Sequence, residues 1–290
     1  VIIVTTKKGT SGKPEVAYKT YTGWQVDQNP FDLMDNEQTY DYWKAYDNQF
    51  GLNNLPQQFW TINPSLVDTT VNTDWQNLLV RDPARMQSHF LSANGGNEMV
   101  TYNVSFEYFD QDGLMDYASD YQRYNFRTNL NFKISEKLNI GTNIFFRREE
   151  RTNGAGGGTY FSSMQRSPLS DPYNDDGSYN YYLDPFNPLI AQGNIIQNLI
   201  ESDQLWDGNV INMQAYVNYK IYKDLTFTSE ISNVWNNAWS HSYSPSTLFN
   251  NKETPAYSSH YGSMAFEWIN RMNYNKTFAE KHNIDAMLGS

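Results

Sequence analysis

The residues best suited to chemistry are aromatic side chains set among aspartates and asparagines between Arg151 and Leu205. An aromatic ring offers an apolar face and the neighbouring polar groups offer hydrogen bonds, a combination that suits sugar rings or peptide side chains. The alternative is that these rings only fold the segment or contact a partner protein. The candidates for substrate contact are Tyr160, Phe161, Tyr173, Tyr179, Tyr181, Tyr182 and Phe186.

No residue pattern supports catalysis or metal binding. The chain has no cysteine, its four histidines are far apart, and no serine lies in a nucleophile-elbow sequence. Gly154–Gly158 lacks the Lys-Ser/Thr ending of a phosphate loop. The acidic stretch from Asp171 to Gly177 lacks calcium-loop spacing, which favours a polar turn. We therefore predict no catalytic residue, no metal and no cofactor, and a protein that is not an enzyme.

Composition narrows the class of protein. A net charge of -11 argues against nucleic-acid binding, because a phosphate-binding surface must be basic. No apolar run approaches the ~18 residues of a membrane-spanning helix, and no signal peptide opens the chain at Val1. The mean hydropathy of -0.71 favours a soluble β protein when taken alone. A barrel strand, however, offers only every second residue to lipid, so low hydropathy does not exclude a barrel.

The clearest structural signal is a strict alternation of side-chain polarity from Tyr124 to Ile134. A period of two indicates a β-strand with one apolar and one polar face. The length suits a transmembrane barrel strand, which needs about 9 to 11 residues to cross. One face would carry Tyr124, Phe126, Thr128, Leu130, Phe132 and Ile134, and the other Asn125, Arg127, Asn129, Asn131 and Lys133.

Other segments repeat this pattern, and short and long connections alternate between them. Long connections are predicted at Arg151–Leu205 and from about Trp239 to Ser258. A further long loop joins the first two predicted strands, and a short helix is predicted within it at Asn36–Phe50. Segregation of loop length by end is typical of outer-membrane barrels. The remaining predicted strands are Glu15–Val26, Met86–Asn94, Thr101–Phe109, Ile140–Phe146, Ile211–Ile221, Leu225–Val234, Met264–Phe278 and one that begins at Ile284.

Charged residues recur on the polar faces of these strands. A wide barrel needs a wet lining and also packs a plug against it, so we favour lining or plug contact over substrate steering. Arg123 and Arg127 lie four residues apart on one strand and would share a face. The candidate lumen-facing or plug-facing residues are Arg127, Lys133, Arg147, Lys220, Glu230, Glu267 and Arg271.

The order of several landmarks resembles the SusC/RagA-type TonB-dependent receptors of the Gram-negative outer membrane. Val1–Gly9 looks like the last strand of that family's plug domain, and Gly23-Trp24-Gln25 like part of its first barrel strand. Thr73-Asp74-Trp75-Gln76 looks like the segment before the second strand. Phe109–Gly113 and Tyr121–Leu130 look like its early barrel hairpin. The resemblance is strong to about Arg148 and then rests on strand rhythm.

The resemblance implies an all-β fold, an antiparallel transmembrane β-barrel segment of about nine strands from a 22-stranded plugged barrel with long extracellular loops. It implies that residues 1–12 are the end of the plug domain and that 13–290 are the N-terminal part of the barrel. We therefore expect a fragment of an outer-membrane importer of oligosaccharides or peptides. The implied partners are a SusD-like surface lipoprotein, the TonB complex and outer-membrane lipid.

Two other classes of protein remain open at this point. The aromatic surplus and low hydropathy also suit a soluble carbohydrate-binding β domain, in which one face of every strand must enter a shared core. A secreted glycosidase would need paired carboxylates, and the sequence cannot pair Glu230 or Glu267 with another acid. The direction in which the alternating apolar side chains face distinguishes the barrel from the soluble domain.

Overall fold

The main element of the protein is one antiparallel sheet of nine strands, in which every strand pairs with the next along the chain. The computed structural model describes residues 9–28, 30–50, 68–117, 119–152, 160–161, 164–180, 194–248, 254–279 and 281–290. The strands are β1 (Gly12–Gln25), β2 (Ala84–Gly96), β3 (Val100–Gln111), β4 (Tyr121–Lys133), β5 (Leu138–Thr152), β6 (Asp203–Tyr222), β7 (Leu225–Tyr243), β8 (Ala256–Phe278) and β9 (His282–Gly289).

Connections between the strands differ in length at the two ends of the sheet, as the sequence predicts. The short turns are 97–99, 134–137, 223–224 and 279–281, and the long connections are 26–83, 112–120, 153–202 and 244–255. Gly96 ends β2 immediately before the first short turn; it has φ 151°, and a Cβ there would lie 2.2 Å from the Val100 carbonyl oxygen. Only glycine fits that position.

One face of the sheet, here called the apolar face, carries large hydrophobic side chains that are exposed. A single row across it runs Tyr18, Leu91, Phe106, Phe126, Phe146, Ile211, Trp235 and Met264. Met264 is 73% exposed and Val16, in the next row, is 71% exposed. These residues do not form a shared core, which contradicts the soluble β-domain alternative.

The opposite face, here called the polar face, carries amides, hydroxyls and charges. Its central row runs Asn94, Asn103, Asn129, Asn143, Gln214, Ser232 and Glu267. Several polar side chains of this face are buried against one another, including Ser105, Asn129 and Thr228. Burial is therefore the reverse of that in a water-soluble sheet, where the apolar face is the covered one.

Several strands extend beyond their predicted bounds, mostly toward the long connections. β5 continues past Phe146 to Thr152, β6 begins at Asp203 instead of Ile211, and β7 and β8 occupy much of the predicted Trp239–Ser258 loop. Polar residues occupy both faces along Arg147–Thr152 and at positions such as Asn237 and Ser240, which weakens the alternation used to find strands. In the β7 extension Trp235 and Trp239 continue the apolar face. Backbone pairing to the neighbouring strands maintains the extensions. At the short-turn end of the sheet, β4 ends at Lys133, and Ile134 lies in the turn that follows. The Ile134 N–H donates to the Leu138 carbonyl oxygen.

Within the described residues, the named helices of the long connections are α1 (Asn36–Phe50), at the position the sequence predicts, α2 (Trp75–Leu79) and α3 (Ile195–Glu201). Side chains from three connections form a hydrophobic cluster of Trp75, Leu79, Met115, Ile195, Ile196 and Leu199, against which Tyr160 and Tyr179 pack. We call the described residues of 68–83, 112–120, 160–180 and 194–202 the loop cap. Within the described ranges no helix is long and apolar enough to cross a membrane.

Polar contacts also join the connections within the loop cap. The Arg81 guanidinium lies 2.8 Å from Asp116 and 2.9 Å from Asp120, and its backbone N–H donates to the Leu114 carbonyl. The Trp75 indole N–H donates to the carbonyl of Ser167 at 3.0 Å. The long connections therefore pack on one another at one end of the sheet.

Candidate functional site

Tyr160 is built into the loop cap. Its ring packs on the hydrophobic cluster, and its hydroxyl donates to Asp27 at 2.8 Å and lies 3.3 Å from the Gln76 amide oxygen. Burial, followed by the hydrogen bond to Asp27, raises the pKa of Tyr160. These contacts give the side chain a structural role that links residues far apart in sequence.

Tyr173 and Tyr179 flank the acidic stretch, which forms the predicted polar turn. The two residues pair across an isolated bridge, with ring centroids 5.7 Å apart, and Gly177 takes φ 82° between them. Asp176 accepts hydrogen bonds from the Ser178 hydroxyl and N–H, which lower the pKa of Asp176. The carboxylate therefore completes the turn.

The aromatic candidates differ in what they offer to a ligand. Phe161 is 58% exposed and Tyr173 is 38% exposed, whereas Tyr179 packs against the cluster and burial raises its pKa. Tyr181, Tyr182 and Phe186 lie outside the described residues. Among the described candidates, Phe161 and Tyr173 are thus the rings with open surface, and substrate contact stays a prediction for all of them.

A cavity of about 480 Å³ lies beside the loop cap, between residues 31–35, helix α1, and segments 72–76 and 164–168. Its lining combines the aromatic side chains of Phe31, Trp43 and Trp75 with the acids Asp32 and Asp35. None of the described candidate aromatics lines it. Sequence reasoning missed this cavity because its walls come from segments that are distant along the chain.

A second concavity, of about 680 Å³, lies on the polar face of the sheet. Arg127 lines it, with its guanidinium 4.7 Å from the centroid of the Phe145 ring. Glu107 accepts hydrogen bonds there from Asn125 and Arg123, at 2.5 and 3.4 Å. The Phe145 ring, not a carboxylate, is the partner recorded for the Arg127 guanidinium among the described residues.

Strand register puts every predicted lumen-facing residue on the polar face. The shortest ion pairs that these residues make are from Lys133 to Glu136, in the adjacent short turn, at 2.8 Å and from Arg271 to Glu230 at 3.4 Å. Arg147 reaches Glu149 at 3.8 Å. The predicted residues Arg127, Lys133, Arg147, Lys220, Glu230, Glu267 and Arg271 therefore share one surface but do not converge on a single point.

Sequence comparison adds an independent line of evidence. TonB-dependent receptor P26 of Formosa agariphila is 30% identical over 301 residues, which cover all of this chain and 29% of that protein. TonB-dependent receptor P3 of the same organism is 28% identical over 310 residues. TonB-dependent receptor SusC of Bacteroides thetaiotaomicron is 31% identical over 191 residues, or 62% of this chain and 17% of that protein. The chain belongs to the SusC/RagA-type TonB-dependent receptors.

This SusC/RagA-type chain also shares its fold with solved structures. The RagAB peptide importer in its closed-closed state matches with a TM-score of 0.75 at 18% identity, over 98% of this chain and 35% of that one. The open-open state matches equally well, also with a TM-score of 0.75. No protein-family model matches the sequence. The chain spans less than a third of the length of the P26 and P3 relatives.

The sequence did not predict a row of hydrogen-bonded amides on the polar face of this SusC/RagA-type chain, formed by Asn129, Asn143 and Gln214 and here called the amide row. Asn129 donates to Asn143, Asn143 donates to Gln214 at 2.6 Å, and Gln214 donates to Glu230 at 2.6 Å. Each amide looked like one ordinary polar position of a strand. Strand register, which the sequence does not give, brings them together.

Proposed function

We propose that this chain forms part of the barrel wall of a TonB-dependent transporter in the Gram-negative outer membrane. The observation that carries the proposal is the reversal of burial, with exposed apolar side chains on one face and packed polar ones on the other. In lipid the exposed rings and aliphatic chains leave water, and the polar face lines an aqueous or plug-filled lumen.

The wall requires more strands than the nine present here. β1 and β9 each leave one edge of the sheet unpaired within the described residues. An unpaired backbone edge is not tolerated in hydrocarbon, so these edges pair with further strands of a plugged barrel of about 22 strands. In this proposal residues 1–12 end the plug and residues 13–290 belong to the wall.

The transported substrates in this proposal are oligosaccharides. The exposed rings of Phe161 and Tyr173 beside polar turn residues support sugar contact, because sugars present both apolar faces and hydroxyl edges. Peptides are the second candidate class, favoured by the likeness of fold to a peptide importer. A SusD-like surface lipoprotein would close over the loop cap, and the TonB complex would supply the energy for plug movement.

Uptake by cells that carry the full-length receptor tests the function. We expect saturable uptake of labelled oligosaccharides that stops when the proton-motive force is collapsed. Phe161→Ala and Tyr173→Ala should each weaken oligosaccharide binding about tenfold, as expected for the loss of one stacked ring. Tyr222→Ala is the matched control, because Tyr222 is an exposed aromatic at the short-turn end of β6.

The outcomes of the uptake experiment separate the alternatives. Energised uptake restricted to labelled peptides would replace oligosaccharides with peptides as the substrate class. Uptake of neither class, or uptake that persists without the proton-motive force, would contradict the transporter proposal. An equal effect of Tyr222→Ala would remove the substrate role from Phe161 and Tyr173.

A further inference from the structure

The amide row ends at a carboxylate that fixes the direction of all its hydrogen bonds. Glu230 accepts from the Gln214 amide nitrogen on one oxygen and from the Arg271 guanidinium on the other, at 2.6 and 3.4 Å. A carboxylate can only accept and a guanidinium can only donate. Gln214 must therefore present its nitrogen to Glu230 and its oxygen to the preceding residue in the row.

This orientation passes along the row one amide at a time. The Gln214 oxygen accepts from the Asn143 nitrogen, so the Asn143 oxygen is left to accept from the Asn129 nitrogen. Asn129 is only 7% exposed, so an unmatched amide there would be costly. The Asn129 oxygen is consequently the free acceptor at the far end of the row.

The group that meets this acceptor is the backbone of the segment that leads into β1. The Gly9 N–H donates to the Asn129 oxygen at 3.5 Å. The next residue is held by Asn94, which accepts from the Thr10 N–H at 3.3 Å and donates to the Thr10 hydroxyl at 2.8 Å. Two side-chain amides of the wall thus bind two consecutive backbone N–H groups.

Gly9 also lies against the wall with no room for a side chain. A Cβ at this position would lie 2.4 Å from the backbone nitrogen and 2.7 Å from the carbonyl oxygen of Tyr102 in β3. Backbone atoms cannot move aside as a flexible side chain can. Close contact with Tyr102 and the bond to Asn129 therefore fix the same residue from two directions.

We propose that Asn129, Asn143 and Gln214, oriented by the Glu230–Arg271 pair, form an anchor that holds Gly9 against the wall. The anchor fixes the point where the chain passes onto β1, so force applied upstream of Gly9 is resisted at the amide row. It recognises a backbone N–H of the same chain, and the substrate class has no bearing on it.

Glu230→Gln gives the sharpest test, because it should reverse the row. The introduced amide has one oxygen, which the donor-only Arg271 will take, leaving the introduced amide nitrogen to face Gln214. Each amide must then turn over, and Asn129 presents its nitrogen to the Gly9 N–H, donor against donor. We expect the Gly9 amide of the full-length receptor to exchange hydrogen about tenfold faster, as for the loss of one hydrogen bond.

A second substitution should restore the anchor. In Glu230→Gln/Arg271→Met no cation competes for the oxygen of the introduced amide, which can again accept from Gln214. We expect the Gly9 exchange rate to return to near the wild-type value. Arg271→Met alone leaves the carboxylate as an acceptor, so its Gly9 rate should also stay near wild type. If Glu230 and Arg271 had only a structural role, the double variant would show the fastest Gly9 exchange of the three variants.

Residue-resolved hydrogen exchange on the full-length receptor in detergent micelles provides the measurement. Gln214→Leu, which interrupts the row, should accelerate Gly9 exchange, whereas Asn212→Leu on the same face of β6 should not. The Thr10 amide, which donates to Asn94, is the internal reference, and its exchange rate should change less than that of Gly9. An unchanged Gly9 rate in Glu230→Gln, no recovery in the double variant, or equal acceleration by Asn212→Leu would overturn the proposal.

Discussion

At the scale of single residues, strand register and turn geometry decide which partner each charged side chain meets. The period of two along β4 is sufficient to assign Arg127 and Lys133 to the polar face. Partners such as Glu136 for Lys133 or Glu230 for Arg271 depend on turn geometry and register. Tyr160 illustrates the same limit, because its packing and its bond to Asp27 join residues 133 positions apart.

Arg81 offers a prediction at this scale, because one guanidinium binds Asp116 and Asp120 closely and lies 3.8 Å from a third carboxylate of the 112–120 connection, Asp112. Arg81→Met should leave Asp116 and Asp120 without their cation and lower the local free energy of unfolding by about 1 to 2 kcal/mol. Hydrogen exchange of residues 112–120 in the full-length receptor checks this. Arg85→Met is the control, since the Arg85 side chain is half exposed and its closest carboxylate lies at 3.3 Å. Equal acceleration of hydrogen exchange by both variants would contradict the claim that Arg81 stabilises the 112–120 connection.

At the scale of elements, alternation located all nine strands and periodicity located helix α1. Strand ends were less accurate, because polar residues occupy both faces there, such as Asn237 on the apolar face of β7 and Ser240 on its polar face, and these positions carry no alternating signal. Helices α2 and α3 have 5 and 7 residues, too few for a periodic pattern to stand out. The loop cap was not predictable, since its core is assembled from three separate connections.

Helix α3 should depend on its buried face. Ile196 is fully buried in the loop-cap cluster, while Ile200 on the same helix is 48% exposed. Ile196→Ala should destabilise the loop cap by about 2 to 5 kcal/mol and speed proteolysis within it, because a cavity remains. Ile200→Ala should change proteolysis little. Similar rates of proteolysis for the two variants would contradict a packed loop cap.

Strand β6 provides a matched pair on opposite faces. Met213 lies on the apolar face and is 44% exposed, and its neighbour Asn212 lies on the polar face. Met213→Arg should cost about 2 to 4 kcal/mol near the middle of the bilayer, whereas Asn212→Arg should be tolerated. The yield of folded, heat-modifiable receptor in outer membranes checks this difference. The opposite ranking would show that the faces have been assigned the wrong way round.

At the scale of the whole molecule, the reversal of burial connects sequence, fold and function. The largest buried side chains, such as Trp75 and Ile196, belong to the loop cap, while exposed hydrophobic residues such as Phe266 and Trp268 belong to the sheet. A soluble protein would not leave so large an apolar surface uncovered. Family membership and the sheet fold were predictable from the sequence, because the order of the landmarks and the alternation of short and long connections can be read from the chain itself. Substrate identity was not predictable, because alternation and loop length say nothing about which side chains a ligand would contact.

Single-cysteine scanning of β6 in the full-length receptor is the most direct test of the central claim that one face meets lipid and the other a wet lumen. The chain itself contributes no native cysteine. Fluorophores attached to cysteines introduced at 211, 213, 215 and 217, on the apolar face, should be quenched by quenchers carried on lipid. Those attached at 212, 214, 216 and 218, on the polar face, should not be quenched. Equal quenching at both sets, or none at either, would contradict the account.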